Sequence, residues 1–351
     1  MNPMKILSFG AGAIGTYIGG SLALAGHKVV FVEQAQAADE LRRNGLKLNV
    51  GLDPRRGSQA EFTLMPPDVE VADSLAGALT HGPFDVALFA LKSYDTPAAL
   101  EGLKPFAAQL PSILCLQNGV DNEPAIAAVL GAEKVIYGTV TSAVGRRGVG
   151  DIVLEKLRGV GVADGHPLSK RLAEALDGAF LNARLFPKAA DMKWSKLLTN
   201  LLANPTSAIL DMTAAEVFAN PALYRLEIAQ LRECLAVMKA QGIAVVDLPG
   251  TPVRALALST RLPLWLSKPF LSKAAGAGRG AKMPSFHIDL HSRRGKSEVT
   301  YLHGAIVRAG EKTGVLTPVN KLLTETLLAL TVGKIPLAEF ARNPLHLLEK
   351  L

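Results

Sequence analysis

The sequence predicts an α/β protein, with an N-terminal Rossmann doubly wound sheet followed by an all-α C-terminal domain. Three observations carry this. A glycine pattern, "GAGAIG" at 10–15, directly follows a short apolar run and opens a helical pattern. Strand-like and helix-like runs alternate through the first half, which implies βαβ units and a parallel sheet. From Ala189 onward the text is helical, with no convincing strand. A chain of 351 residues fits two domains, expected at 1–184 and 185–351.

Taken in order, "MKILSFG" is an apolar run ended by Gly10, and "AIGTYIGGSLALAG" has helical spacing and stops at Gly26. "HKVVFVE" is β-branched and apolar, and "DELRRNG" is a short helix ended by Gly45. "DVALFAL" is apolar throughout, as in a strand buried on both faces. A helix is expected around 97–109, then "SILCLQNG" and "KVIYGTVTSAV" as further strands. Later helices are expected over 189–204, 213–243, 296–313 and 318–332. The stretch between Pro252 and Met283 is rich in Pro, Gly and basic residues, and reads as one or two helices and the loop "AAGAGRGAKMP".

With 49% hydrophobic and 20% charged residues, the chain can build substantial cores. Its two cysteines, Cys115 and Cys234, have no metal-like spacing and suit a reducing cytoplasm. Cys115 reads as a strand-core residue. No run has the 18 or more apolar residues of a membrane span, and the glycines after Lys5 argue against a signal peptide. The formal charge is +7, and nine Lys/Arg against the single acid Asp289 fall between Thr251 and Lys296. Aromatics are scarce and no nucleic-acid motif appears, so a small anionic ligand or a solvated face explains this segment better than nucleic acid. Exposed apolar helices in the second half can support a homodimer.

In the glycine pattern, Gly10 allows the tight turn, Gly12 the approach of a pyrophosphate and Gly15 close helix–strand packing. The intervening Ala11, Ala13 and Ile14 would present backbone N–H groups to the phosphates at the helix N-terminus. A ligand-free Gly-rich turn could share the pattern, but here the strand, the helix and a second strand ending in Glu33 all accompany it. Lys92 and Asn118 each follow a strand, and ligands of such sheets sit outside the carboxyl ends of the strands.

The most informative stretch is "KWSKLLTNLLANPTSAIL" from Lys193. Lys196, Asn200 and Asn204 recur every four residues, so a continuous helix would align them as one donor-rich ridge. Pro205 clashes with the carbonyl of Leu201 and should kink or end that helix. A solvated face is the ordinary explanation for such a stripe. The apolar neighbours make this helix look buried, however, and a buried polar ridge needs partners. Ser285 begins a helix, either as a plain N-cap or as a ligand group, and Glu298 begins another, where an acid suits the helix dipole. His287 and His291 have metal-compatible spacing, but the sequence offers no third ligand nearby, so no metal site is expected.

Together "GAGAIG", "ALKSYDT" (90–96), "LQNGVDN" (116–122), "YGTVTSA" (137–143), "KWSKLLTNLLANP" (193–205), "PSFHIDL" (284–290) and "GKSEVTYLHG" (295–304) resemble the 2-dehydropantoate 2-reductases, or ketopantoate reductases, over nearly the whole chain. The resemblance implies NADPH-dependent reduction of a small 2-oxo acid, 2-dehydropantoate, to a 2-hydroxy acid in pantothenate biosynthesis. It casts Lys196 as proton donor to the carbonyl oxygen. It places Asn200 and Asn204 on the substrate, Ser285 near its carboxylate, and Lys92, Asn118 and Glu298 along the cofactor and the cleft. The chemistry agrees, because hydride attack leaves an alkoxide that needs a donor, and a desolvated site or nearby Lys92 would lower the pKa of a lysine toward neutrality.

The chain also departs from the family pattern. Thr300 and His303 stand where the family has an acid and an asparagine, and Thr213 and Ala214 where another substrate-contacting asparagine is expected. Glu33 and Gln34 replace the basic residue near the end of the second strand, and an acid there suits the ribose hydroxyls of NAD(H) better than the 2′-phosphate of NADP(H). These departures leave open a D-2-hydroxyacid dehydrogenase of the same fold acting on another 2-oxo acid. A non-catalytic dinucleotide sensor is the third reading, and it has no need of Lys196.

Overall fold

The computed structural model describes residues 2–268, 271, 283–292 and 295–351. Most of the loop 274–284, and with it Lys273, Arg279, Lys282, Arg293 and Arg294 of the basic segment, lies outside the described residues. The chain divides into two compact units. The first holds Met1–Gln117, Asp121–Lys193 and Leu248–Thr251, and the second holds Asn118–Val120, Trp194–Asp247 and Pro252–Leu351. A strand at Ala183–Phe186 therefore runs across the 184/185 division expected from sequence, and the first unit continues to Lys193.

In the first unit the strands are β1 (Lys5–Phe9), β2 (Lys28–Val32), β3 (Leu46–Asn49), β4 (Glu61–Leu64), β5 (Glu70–Ala72), β6 (Val86–Phe89), β7 (Ile113–Cys115), β8 (Val135–Val140), β9 (Ala143–Gly148), β10 (Asp151–Lys156), β11 (Val160–Ala163) and β12 (Ala183–Phe186). Eight of them form one sheet in the order β12-β11-β8-β7-β6-β1-β2-β5. From β5 to β8 every pairing is parallel, while β11 returns antiparallel to β8. All four residues of β6 and all three of β7 are buried, as uninterrupted apolar runs demand of a sheet covered on both faces. Cys115 lies in that interior, where burial pushes its thiol well above the usual range. A second sheet, β4-β3-β10-β9, is absent from the expectation drawn above. It joins two short hairpins about a hundred residues apart in sequence, pairing β10 with β3 in parallel.

The helix α1 (Ala13–Leu24) explains the glycine spacing. A Cβ on Gly15 would lie 2.0 Å from the carbonyl oxygen of Gly10, so helix and loop can approach this closely only without a side chain there. Further along, a Cβ on Gly19 would meet the Phe31 ring at 2.6 Å, and one on Gly20 would meet Leu48 at 2.8 Å. A Cβ on Gly12, by contrast, meets nothing within 4 Å. Helix α2 (Ala35–Asn44) ends at Gly45 as expected. The remaining helices of this unit are α3 (Leu75–Leu79), α4 (Thr96–Leu103), α5 (Asn122–Leu130) and α6 (Ser169–Gly178).

The second unit is helical, with no named strand among its described residues. Its helix α7 (Ala189–Leu201) starts in the first unit, and α8 (Asn204–Leu210), α9 (Ala214–Ala219), α10 (Pro221–Ala240) and α11 (Val253–Ser259) follow. Three longer segments complete it at Ser285–His291, Val299–Thr313 and Pro318–Thr331, with a short turn of helix at Pro344–Leu348. The last two long helices pack on each other and both pack on α10. Asn220 divides the expected 213–243 helix, its side chain capping Ala222 and Leu223 while Pro221 takes the first helical position.

The packing at Gly15 yields a stability prediction. Gly15→Ala should lower the unfolding free energy by about 1–3 kcal/mol, as overpacking does. Gly12→Ala should cost less, about 0.5–1 kcal/mol, because it exchanges a good N-cap residue for a poor one without a clash. Denaturant unfolding of the two variants checks this, and equal losses would contradict it.

Candidate functional site

Each unit gathers part of the expected residue set. In the first, Gly10, Ala11, Gly12, Ala13, Ile14 and Gly15 carry the chain from β1 into α1, with Gly12 as an N-cap that offers no side chain to the helix amides. The helix N-terminus is therefore a free anion cradle, and its open side is the one above Gly12. Glu33 follows β2, is half-buried, and accepts a hydrogen bond from the Ala11 amide. Its other oxygen accepts from the Gln34 amide at 3.3 Å. The carboxylate thus places a negative charge at the glycine loop.

Lys92 is half-buried at the start of the turn after β6. That turn is tied down by residues the sequence reading did not single out. Gln117 donates to the Leu91 carbonyl (2.9 Å) and to Thr96 Oγ1 (2.9 Å). Asn122 donates to Ser93 Oγ (3.1 Å) and accepts from Thr96 Oγ1 (3.1 Å). The second missed feature is Lys193, buried three positions before Lys196. Its Nζ pairs with buried Glu123 at 2.6 Å and donates to the Gln117 and Gly138 carbonyls at 2.7 and 3.1 Å. The only available signal was its place among apolar neighbours. A lysine saturated in this way anchors the start of α7.

In the second unit the geometry corrects one expectation. Lys196, Asn200 and Asn204 do not share a helix, because α7 stops at Leu201 and Asn204 opens α8. The break is Ala203, whose backbone enters the left-handed region at φ 55°. Pro205 ends α7 as argued from its clash, but it does so by sitting in the first turn of the next helix. Lys196 and Asn200 remain one turn apart on α7, both half-buried. Asn200 donates to Asn118 Oδ1 at 3.2 Å.

Asn204, 6% exposed, donates to the Asn200 carbonyl (3.2 Å) and accepts from the Phe286 amide (3.1 Å) and Ser285 Oγ (3.4 Å). Ser285 is therefore not the N-cap of its helix. Pro284 holds that position, and the Asn204 side chain satisfies the helix amide from α8. Asn118, Asn200, Asn204 and Ser285 are thus brought together. Glu298 is the buried residue preceding the helix Val299–Thr313, whose Val299 amide is capped by Ser297 Oγ at 3.2 Å.

Glu227 on α10, also unforeseen, holds the break. It is fully buried and accepts from the Ala203 amide (2.7 Å), Thr206 Oγ1 (2.6 Å) and Gln230 Nε2 (2.6 Å). Gln230 in turn accepts from His303 Nε2 at 3.1 Å. Burial pushes Glu227 up to about 7, against three hydrogen bonds that pull it down, and pushes His303 down to about 3. His303 is therefore neutral and structural at neutral pH.

Glu227 gives a signed pH dependence. Its folded-state pKa of about 7 lies above the unfolded value of 4.5, so the folded state binds the proton more tightly. The stability it contributes falls as pH rises from about 4.5 to about 7, then levels off. Relative to Glu227→Gln, the wild type should lose about 3 kcal/mol of unfolding free energy over that interval. Denaturant titrations of both proteins at several pH values test this, and a difference that stays flat would contradict it.

Comparison with known proteins places the chain. Residues 6–164 match the family model described as ketopantoate reductase PanE/ApbA, and residues 188–331 match the corresponding C-terminal model. A 2-dehydropantoate 2-reductase of Archaeoglobus fulgidus is 27% identical over 338 residues, covering 95% of this chain and all of the relative. One from Streptococcus pyogenes serotype M1 is 23% identical over 327 residues, covering 92% and 96%. Among solved structures, a PanE/ApbA family ketopantoate reductase from Ralstonia eutropha JMP134 superposes with a TM-score of 0.77 at 25% identity, covering 94% of this chain and 99% of that one. A D-mandelate dehydrogenase solved with NADH and anilino(oxo)acetate has the same fold, with a TM-score of 0.73 at 23% identity and coverage of 94% and 99%. The chain belongs to the ketopantoate reductase family, and it is an NAD(P)-dependent oxidoreductase acting on the CH–OH group of a 2-hydroxy acid.

Proposed function

We propose that this enzyme reduces 2-dehydropantoate to (R)-pantoate, the reductive step of pantothenate biosynthesis, with Lys196 as the proton donor. The observation that carries the reading is the cluster on the second unit. Lys196 and Asn200 lie one turn apart on α7, Asn200 touches Asn118, and Asn204 holds Ser285. One ammonium and three amides near a serine hydroxyl suit an α-oxo carboxylate bearing a hydroxyl.

Gly12, Ala13, Ile14 and Gly15 would hold the dinucleotide pyrophosphate, with Glu33 at the ribose and Lys92 along the rim, whereas the Gly10 and Ala11 amides, expected from sequence to join them, are engaged by the Val32 carbonyl and Glu33 and shape the turn instead. The fit rests on the uncapped start of α1 and the open space over Gly12. The bound nicotinamide supplies the hydride. As the carbonyl carbon accepts it, charge develops on the oxygen, and the Lys196 ammonium donates its proton there. Asn200 orients the substrate by neutral hydrogen bonds that do not compete for that proton. Asn204 acts partly through Ser285, because its own amide is already engaged with Phe286 and Asn200.

A second reading, a D-2-hydroxyacid dehydrogenase of the same fold, has its support in Thr300 and in the neutral, buried His303, which stand where the family pattern has an acid and an asparagine. The likeness to D-mandelate dehydrogenase, at 23% identity, is one of fold.

Lys196→Ala should lower kcat by two or more orders of magnitude while leaving reduced-cofactor affinity nearly unchanged. Asn200→Ala should act mainly on KM, costing roughly 1–3 kcal/mol. Full turnover by Lys196→Ala would overturn the mechanism. A protein that unfolds on loss of Asn200 without a change in KM would make that amide structural.

For the cofactor, the Glu33 carboxylate at the glycine loop points to NADH used at least as well as NADPH. Glu33→Arg should shift the ratio of kcat/KM values toward NADPH by about tenfold or more, since it removes a repulsion and adds an attraction. A wild type that prefers NADPH a hundredfold would contradict this role for Glu33.

A further inference from the structure

We propose that Asp211, His287 and His291 form a binding site for a divalent cation of the zinc class, and that the cation clamps the helix Ser285–His291 onto α8. The sequence offered two histidines one helical turn apart. The fold supplies the third group from 76 residues away, because α8 ends at Asp211 beside that helix. His287 Nε2 lies 2.7 Å from Asp211 Oδ1, and the two imidazoles stack with centroids 4.1 Å apart. One ligand atom from each of the three residues lies within 4.8 Å of the other two.

The donor set selects the ion. Zinc takes imidazole nitrogen and carboxylate oxygen at about 2.0–2.2 Å, and tetrahedral bonds of that length separate the ligand atoms by about 3.3 Å. That spacing lies between the 2.7 Å His287–Asp211 contact and the 4.8 Å within which the three ligand atoms fall. Magnesium, which demands oxygen ligands in an octahedron, is poorly matched to two imidazoles.

Arg342 acts on Asp211, but its guanidinium is paired with Glu216. His291 is exposed and the Asp211 side chain half-exposed, so an ion can enter from solvent without unfolding.

The consequence follows from what already joins these two helices. At their N-terminal ends Asn204 binds the Phe286 amide and Ser285. His287 already joins Asp211, at the end of α8, to the first turn of that helix, and a cation held by all three residues would add His291 at the helix's last position. Any effect on catalysis through Ser285 rests on the function proposed above, whereas binding of the ion does not.

The test uses full-length, chelator-dialysed protein without a histidine tag, titrated calorimetrically with zinc chloride. One zinc per chain should bind, with affinity at least about tenfold weaker in His291→Ala and in Asp211→Asn. Magnesium chloride at the same concentration should give no heat. Hydrogen exchange across 285–291 should slow with zinc in the wild type and not in His291→Ala, which alters an exposed side chain and should fold normally. No zinc binding by the wild type, or equal binding by both variants, would overturn the site. Binding that leaves exchange across 285–291 unchanged would overturn the clamp.

Discussion

The second unit depends on a carboxylate that holds a helix break. An alanine in the left-handed region costs roughly 1–2 kcal/mol, and the helix start beyond it leaves amides without partners. Glu227 supports the left-handed residue, because it accepts from the Ala203 amide and from the Thr206 hydroxyl in the first turn of α8. It does so from the interior, at the expense of its own solvation, which is why its pKa rises to about 7. Gln230 and neutral His303 complete its surroundings. With the break held there, Asn204 leaves the line of Asn200 and lies against the Phe286 amide.

The first unit rests on a different economy of space. A helix that approaches a loop as closely as α1 approaches Gly10 leaves no room for a Cβ at Gly15, yet the same loop stays open over Gly12. Tightness below and room above are what a pyrophosphate site needs. The Glu33 bond to the Ala11 amide joins the end of β2 to this loop and places a negative charge beside it. This is the position at which a charged side chain stands nearest the loop, and here the charge is negative.

Much of this was legible in the sequence because local and global signals agree. The glycine spacing, the buried runs of β6 and β7 and the stop at Gly45 each follow from chemistry within a few residues. The second sheet was not legible, because β3 and β10 are short and meet only through a long-range parallel pairing. The ridge of Lys196, Asn200 and Asn204 was misjudged for a related reason. Pro205 announced an ending, but the left-handed turn that displaces Asn204 is held by Glu227, on a helix that begins sixteen positions later. Lys193 and Lys196 look equivalent as letters, and the buried pairing of Lys193 with Glu123 and two carbonyls is not visible in the sequence. The third partner of His287 and His291 is likewise invisible until α8 is folded against their helix.

The central claim is that a 2-oxo acid bearing a hydroxyl is the molecule the Lys196–Asn200 face is built to receive. The measurement that tests it most directly is the specificity constant for a panel of 2-oxo acids, each taken with NADH and with NADPH. The account predicts that 2-dehydropantoate gives the highest kcat/KM, with unbranched and aromatic 2-oxo acids lower by tenfold or more. A higher constant for an aromatic 2-oxo acid, or no reduction of any member of the panel, would contradict it.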